Sequence, residues 1–85
     1  MENKDILLTI RTRDGVIYEG PIKGVTSNND LGKFDVLTNH ANFITIIKDS
    51  LKIYESAGEK EFKLDNGIMK VQENIINVLL GVKSG

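Results

Sequence analysis

The sequence predicts an all-β protein, an antiparallel β-sandwich of two stacked sheets, and three observations carry that prediction. Turn signals recur at short intervals along the chain, from Asp14-Gly15 to Glu73-Asn74. Strand-length runs of β-branched and aromatic residues fill the gaps between them. No segment carries the 3.6-residue period of an amphipathic helix.

The individual elements follow from local signals. Asp14-Gly15, between Ile10–Arg13 and Val16–Glu19, predicts a two-residue hairpin turn, because Asp and Gly tolerate the positive φ that such turns need. Asp65-Asn66-Gly67 predicts a second tight turn. Two runs alternate with period two, as half-buried antiparallel strands do. Their shared-face residues are Leu51 with Ile53, and Phe62 with Leu64.

Two runs are apolar on both faces, namely Phe43–Ile47 and Ile75–Leu80. A sandwich strand has one inner face, so its second apolar face needs a cover. A local lid of loops is one explanation, and a docking surface for a partner is the other. The pattern does not decide which of Ile44 and Ile46 points outward.

Composition favours one domain over residues 1–85, with frayed ends at residues 1–4 and 83–85. The formal net charge of −1 provides no field for steering onto nucleic acid or an anionic membrane. The absence of cysteine excludes disulfides and thiolate metal sites. The N-terminus does not resemble a signal peptide, and no apolar run is long enough for membrane insertion.

The residues show no evident active site. His40 is the only histidine, and neither a cysteine nor a carboxylate pair accompanies it in sequence. Ser27 and Ser50, the nearest serines, sit at turn signals, and the turn glycines form no phosphate-binding cluster. We therefore predict no catalytic residue, no metal and no cofactor, and we expect His40 to order a loop or contact a partner.

The segment Gly32 to Lys48, with its central His40-Ala41 pair, resembles the signature of the epsilon subunit of F-type ATP synthase. The likeness extends to the opening hairpin from Leu7 to Gly20, to Asp65–Asn74 and to the closing strand Ile75–Leu80. It covers residues from about 6 to 81, and the order and spacing of the motifs make it specific. The fold expected from the resemblance is the N-terminal β-sandwich of that subunit.

The sequence departs from the family pattern at several positions. Thr38 and Asn42 replace the prolines that flank His-Ala, and Lys33 and Asp35 replace a typical acid and glycine. Family members usually continue into a two-helix C-terminal hairpin that inhibits ATP hydrolysis. The sequence ends at Gly85, so we expect neither that hairpin nor its inhibitory action here.

The resemblance implies a noncatalytic rotor part of the central stalk, which couples c-ring rotation to ATP synthesis through the gamma subunit. Its partners would be gamma and the c-ring, with the chain a monomer in the complex at the cytoplasmic face of the bacterial plasma membrane. Gamma-facing positions implied by the resemblance are Thr12, His40, Ala41, Asn42 and Thr45. The implied c-ring-facing loop consists of Asn28, Asn29, Asp30, Leu31, Gly32 and Lys33.

Two alternatives stay open at this point. One is a free-standing β-sandwich adaptor unconnected to the synthase, which an adjacent reading frame for the catalytic beta subunit would disfavour. The other is an enzyme centred on His40, which a turnover lost in His40→Ala would support.

Overall fold

The structure is a computed structural model that describes residues 5–37 and 42–81, and these residues form seven β-strands and no helix. The strands are β1 (Ile6–Thr12), β2 (Gly15–Ile22), β3 (Gly24–Asn29), β4 (Gly32–Val36), β5 (Phe43–Glu55), β6 (Gly58–Gln72) and β7 (Ile75–Leu80). Within the described segments, nothing has the helical length and apolarity needed to cross a bilayer. The all-β prediction is confirmed.

The strands hydrogen-bond into one seven-stranded sheet in the order β2-β1-β7-β6-β5-β3-β4. The sheet is mixed, because β1 pairs with β7 in parallel, from Leu7 opposite Ile75 to Arg11 opposite Leu79. The prediction of a wholly antiparallel architecture is therefore wrong at this pair. Turn signals predict only strands that follow each other in sequence and pair as antiparallel hairpins. β1 and β7 come from opposite ends of the chain, so no turn signal predicts their parallel pairing.

The prediction of two separate stacked sheets is also wrong in its hydrogen bonding. β5 and β6 pair along their whole length, from Phe43 opposite Val71 to Glu55 opposite Gly58. Residues 67–72 of β6 pair with β7, whereas residues 48–54 of β5 pair with β3. The two long strands β5 and β6 thus join one half of the fold, formed with β2, β1 and β7, to the other half, formed with β3 and β4, in one continuous sheet.

The continuous sheet curls over, so that the edge strand β2 meets β5 although three strands lie between them in the sheet. Tyr18 donates a hydrogen bond to the Glu55 carboxylate, and its ring meets Phe62 edge-on with centroids 6.3 Å apart. The Lys23 N–H donates to the Tyr54 carbonyl at 2.6 Å. These contacts close the two halves around one core.

The core is aliphatic and draws on all seven strands. Its buried residues are Ile6, Leu8, Ile10, Ile22, Val25, Val36, Ile47, Leu51, Ile53, Met69, Val71, Ile76, Val78 and Leu80. Leu51 and Ile53 share the inner face as predicted, and Phe62 and Leu64 pack against the same cluster. Close packing of this kind makes the sheet resistant to deformation, so the side chains on its outward side are held in fixed positions.

The first hairpin differs by one residue from the predicted Asp14-Gly15 turn. Thr12 pairs with Gly15, so the two loop residues are Arg13 and Asp14. The Thr12 hydroxyl accepts a hydrogen bond from the Asp14 N–H at 3.1 Å, and Gly15 takes a φ of 131°. The threonine hydroxyl satisfies the loop backbone, and the glycine supplies the positive φ one position later than expected.

The predicted turn at Asp65-Asn66-Gly67 is wrong, because β6 runs straight through it. Lys48 pairs with Asn66 and Asp49 with Leu64, which leaves Asp65 as the extra residue of a β-bulge. Asp49 absorbs the irregularity with a φ of 73°. The Ser27 hydroxyl donates to the Ser50 carbonyl at 2.7 Å, so an acceptor at the bulge is satisfied by the neighbouring strand.

The partly buried contact between Tyr18 and Glu55 should make the free energy of unfolding fall at alkaline pH. Burial, with the Glu55 hydrogen bond and charge, raises the pKa of Tyr18 from 10.0 to about 12. The folded state therefore holds the phenol proton more tightly than the unfolded state, a contribution present below pH 10 and lost as pH rises towards 12. We expect Tyr18→Phe to flatten the fall of unfolding free energy across that window in urea titrations. Tyr54→Phe should keep the steep fall, and equal slopes in both variants would contradict the assignment.

Candidate docking surface

A row of aliphatic side chains crosses the neighbouring strands β5, β6 and β7 on the outward side of the sheet. We define the outer face as the outward side of β1, β7, residues 66–72 of β6 and residues 43–48 of β5. Ile46 lies opposite Ile68, and Ile68 lies opposite Leu79. Ile46 is 66% exposed, Ile68 40% and Leu79 42%. Directly opposed side chains on one face lie about 5 Å apart, so these three form a contiguous stripe, called the outer stripe below.

Ile44 extends the outer stripe along β5 and is also 66% exposed. Ile44 and Ile46 point to the same side, because residues two apart in a strand share a face. Phe43, Thr45 and Ile47 take the other side, where Ile47 is fully buried. Both isoleucines therefore point outward, and the prediction that Phe43–Ile47 is apolar on two faces is confirmed.

The opposite end of the outer face is also apolar. Ile75 pairs with Leu7, and the two side chains are about half exposed. In β7, Ile76, Val78 and Leu80 are buried, whereas Ile75 and Leu79 face out. Ile75–Leu80 is thus the second two-faced strand, as predicted. A monomer that stays alone in water gains nothing from aliphatic groups placed across four neighbouring strands, so the outer face has the character of an interaction surface.

The hairpin between β3 and β4 projects beside the outer stripe. Leu31 at its tip is 96% exposed, and the Leu31 N–H donates to the Asn29 carboxamide oxygen at 2.8 Å. The Asn29 amide donates in turn to the Thr45 hydroxyl at 3.2 Å, which ties the tip to β5. The tip and Ile44–Ile46 line one shallow depression. The predicted c-ring-facing residues 28–33 are therefore brought together as a single hairpin next to the outer face.

The predicted gamma-facing residues are not all brought together. Thr12 ends β1, three strands away from β5, which is about 14 Å at the usual strand spacing. Asn42 lies before β5, where its side-chain oxygen accepts a hydrogen bond from the Glu73 N–H at 2.7 Å. Thr45 faces the opposite side of β5 from Ile44 and Ile46. His40 and Ala41 lie outside the described residues.

Several outer-face residues were not among the predicted site positions, namely Leu7, Arg11, Ile68, Lys70, Ile75 and Leu79. The signal for two of them was present, because Ile75–Leu80 was recognised as apolar on both sides. Ile68 and Arg11 join the surface only through the register of β6 with β7 and of β7 with β1, which one strand read alone does not reveal.

The described residues form no cluster of three or more histidine, cysteine, aspartate or glutamate side chains suited to a metal. Their pronounced surface feature is the apolar outer face, which can exclude water against a partner. The geometry is that of a binding surface, and no nucleophile–base pair was identified in sequence.

Comparison with known proteins identifies relatives of the chain. The chain is 37% identical over 76 residues to the ATP synthase epsilon chain of Campylobacter jejuni subsp. doylei, covering 87% of this chain and 59% of the relative. It is 34% identical over 74 residues to the ATP synthase epsilon chain of Clostridium botulinum strain Eklund 17B, covering 85% of this chain and 55% of the relative. The chain thus spans less than two thirds of the length of these relatives.

Solved structures share the fold at lower identity. A chain in the Euglena gracilis mitochondrial ATP synthase structure superposes with a TM-score of 0.82 at 19% identity, covering 89% of this chain and 50% of that one. A chain in the Tetrahymena thermophila mitochondrial ATP synthase central stalk and c-ring structure gives 0.76 at 15% identity, covering 94% and 66%. Residues 5–82 match the family described as the ATP synthase delta/epsilon chain β-sandwich domain. With nearly its whole length inside that match, the chain belongs to the ATP synthase delta/epsilon β-sandwich family.

Proposed function

We propose that the chain is a noncatalytic part of the rotor of an F-type ATP synthase, docked on the gamma subunit through its outer face. Family membership and the epsilon-chain relatives support this assignment. The observation that carries it is the outer stripe, because aliphatic side chains exposed in register on adjacent strands match the apolar centre of a stable interface. In that role the chain transmits torque and transforms no substrate.

The rigid core supports a mechanical role. A rotor part has to stay docked while load is applied, so its surface must keep its shape. The outer-face strands alternate exposed residues with fully buried ones such as Leu8, Met69 and Ile76. Since close-packed cores resist deformation, force applied at the outer stripe passes into the whole sheet.

The β3–β4 hairpin is the proposed contact with the c-ring. Leu31 offers an apolar tip, and the hydrogen bonds of Asn29 fix the hairpin against β5. Thr12, His40, Ala41, Asn42 and Thr45 stay proposed gamma contacts on the strength of the family resemblance alone. The complex would place the chain peripherally at the cytoplasmic face of a bacterial plasma membrane.

Mixing the 85-residue chain with the gamma subunit encoded in the same genome tests the proposal. We expect a saturable 1:1 complex by titration calorimetry, together with a single co-eluting species in size-exclusion chromatography. A folded chain that shows no binding at tens of micromolar, a range well above the dissociation constants of stable complexes, would overturn it.

A further inference from the structure

The outer face contains a shallow depression over β7, between β1 and β6. Arg11, Ile68, Lys70, Asn77 and Leu79 all line it. Arg11 lies opposite Leu79, and Lys70 lies opposite Asn77, so the two cations approach the depression from β1 and from β6. Ile68 and Leu79 of the outer stripe provide its apolar wall. The depression therefore combines two positive charges with the centre of the apolar surface.

The charge of this region is one-sided although the whole chain has a formal net charge of −1. The outward positions of β1, β7 and residues 66–72 of β6 include two basic residues and no acidic one. They are Leu7, Thr9, Arg11, Asn66, Ile68, Lys70, Gln72, Ile75, Asn77 and Leu79. On the adjacent edge strand β2, the acidic residue Glu19 lies opposite Thr9.

The two cations take no part in the ion pairs of the described segments. Those pairs join Lys23 to Asp5, Lys48 to Asp30, and Lys52 to Glu59. Exposed cations cost nothing while water solvates them. Once a partner covers the outer stripe, Arg11 and Lys70 lose water, and a desolvated cation without a counter-charge is strongly unfavourable.

We propose that the protein partner of the outer face inserts a carboxylate side chain into this depression, between Arg11 and Lys70 and beside its apolar wall of Ile68 and Leu79. This inference rests on the proposed function, and it specifies the chemistry that the docking surface recognises. Arg11 presents a planar guanidinium that can bind a carboxylate through two hydrogen bonds, and Lys70 adds a point charge. The apolar stripe supplies affinity, and the paired cations fix the register of the partner.

A second copy of this chain fits the depression poorly. A two-fold contact with its axis at the depression would bring Arg11 and Lys70 of one copy against the same cations of the other, which is unfavourable. With the axis elsewhere on β1, β7 or residues 66–72 of β6, the second copy would offer these cations no acidic residue. The required partner is therefore a different protein surface, acidic next to an aliphatic patch.

Salt-dependent titration of the gamma subunit into the chain tests the inference. We compare the natural chain with Arg11→Gln/Lys70→Gln, and with Lys63→Gln as the control. Lys63 is exposed on β6 and pairs with Ser50, beyond the bulge and outside the outer face. We expect the double variant to bind on the order of tenfold or more weakly at low salt, and to lose most of its salt dependence. Lys63→Gln should match the natural chain, and Arg11→Lys/Lys70→Arg should recover the salt dependence.

The outcomes separate the two proposals. If the natural chain binds gamma and the double variant binds equally well with the same salt slope, the carboxylate is refuted while the docking role stands. If the natural chain does not bind gamma at all, the proposed function itself fails. Binding to phosphatidylglycerol vesicles that needs both cations, with gamma binding unchanged, would also overturn the inference, since the anion would then be lipid. So would self-association in sedimentation equilibrium that the double variant abolishes.

Discussion

Replacing Ile44 and Ile46 together by Asp should abolish binding to the gamma subunit and leave the fold intact. Each side chain is 66% exposed, so neither contributes to the core of the isolated chain. In the complex they would be covered, and burying two carboxylates in an apolar contact is strongly unfavourable. We expect at least about a hundredfold loss of affinity, equivalent to about 2.7 kcal/mol, measured by titration calorimetry.

Circular dichroism of the same variant should match the natural chain, and urea unfolding should stay cooperative with a loss of roughly 1–2 kcal/mol, because Asp has a low β propensity and the contact of Ile46 with Ile68 is lost. Ala57→Asp provides the matched control, because Ala57 is exposed in the turn between β5 and β6, away from the outer face. Unchanged gamma binding by the double Asp variant would remove the outer stripe from the interface. Equal losses in both variants would mean that added negative charge, and not position, is responsible.

Gly67→Ala should destabilise the fold by about 1–3 kcal/mol, the cost of overpacking a close-packed core. Gly67 is buried beside the bulge of β6. A Cβ built there would lie 2.7 Å from the Leu80 Cδ2 and 2.8 Å from the Leu79 carbonyl oxygen. Because one of these atoms belongs to the backbone of β7, relief requires the strand to shift. Urea unfolding measures the change.

Gly20→Ala is the matched control for that substitution. Gly20 lies on β2 opposite Leu8, and a Cβ there would meet nothing within 4 Å. We expect an unchanged or slightly raised unfolding free energy, because alanine restricts the unfolded chain. If Gly67→Ala proved as neutral as Gly20→Ala, the close approach of β6 and β7 at the bulge would be wrong.

Much of the fold follows from the period of the apolar residues. Leu51 and Ile53 are buried together, and Phe62 and Leu64 pack on the same core, as alternation predicts. The two-faced runs were also identified correctly. The choice between Ile44 and Ile46 was falsely posed, however, since residues two apart in a strand share one face.

The errors arise where tertiary pairing overrides local preference. Asp65-Asn66-Gly67 has turn composition, yet pairing with β5 holds it inside a 15-residue strand as a bulge. Lys48-Asp49-Ser50 also has the polar composition of a turn, yet it lies inside the strand β5. The parallel contact of β1 with β7 joins the two ends of the chain, and no local signal encodes such a pairing.

The candidate site was predicted only in part. The resemblance named loop positions such as Asn28–Lys33, which do form one hairpin. Ile68, Leu79 and Arg11 needed the register of four strands before they appeared as one surface. A single strand shows which residues face outward, and only the sheet shows which outward residues are neighbours.

Amide hydrogen exchange of the chain with and without the gamma subunit tests the central claim most directly, because it locates the covered surface by residue. We expect slowed exchange on complex formation to concentrate in Phe43–Lys48, in residues 66–72 and in Ile75–Leu80, with the β5–β6 turn at Ser56–Gly58 unchanged. Protection confined to that turn and to Glu59–Lys63, with the outer-face strands unaffected, would contradict docking through the outer stripe.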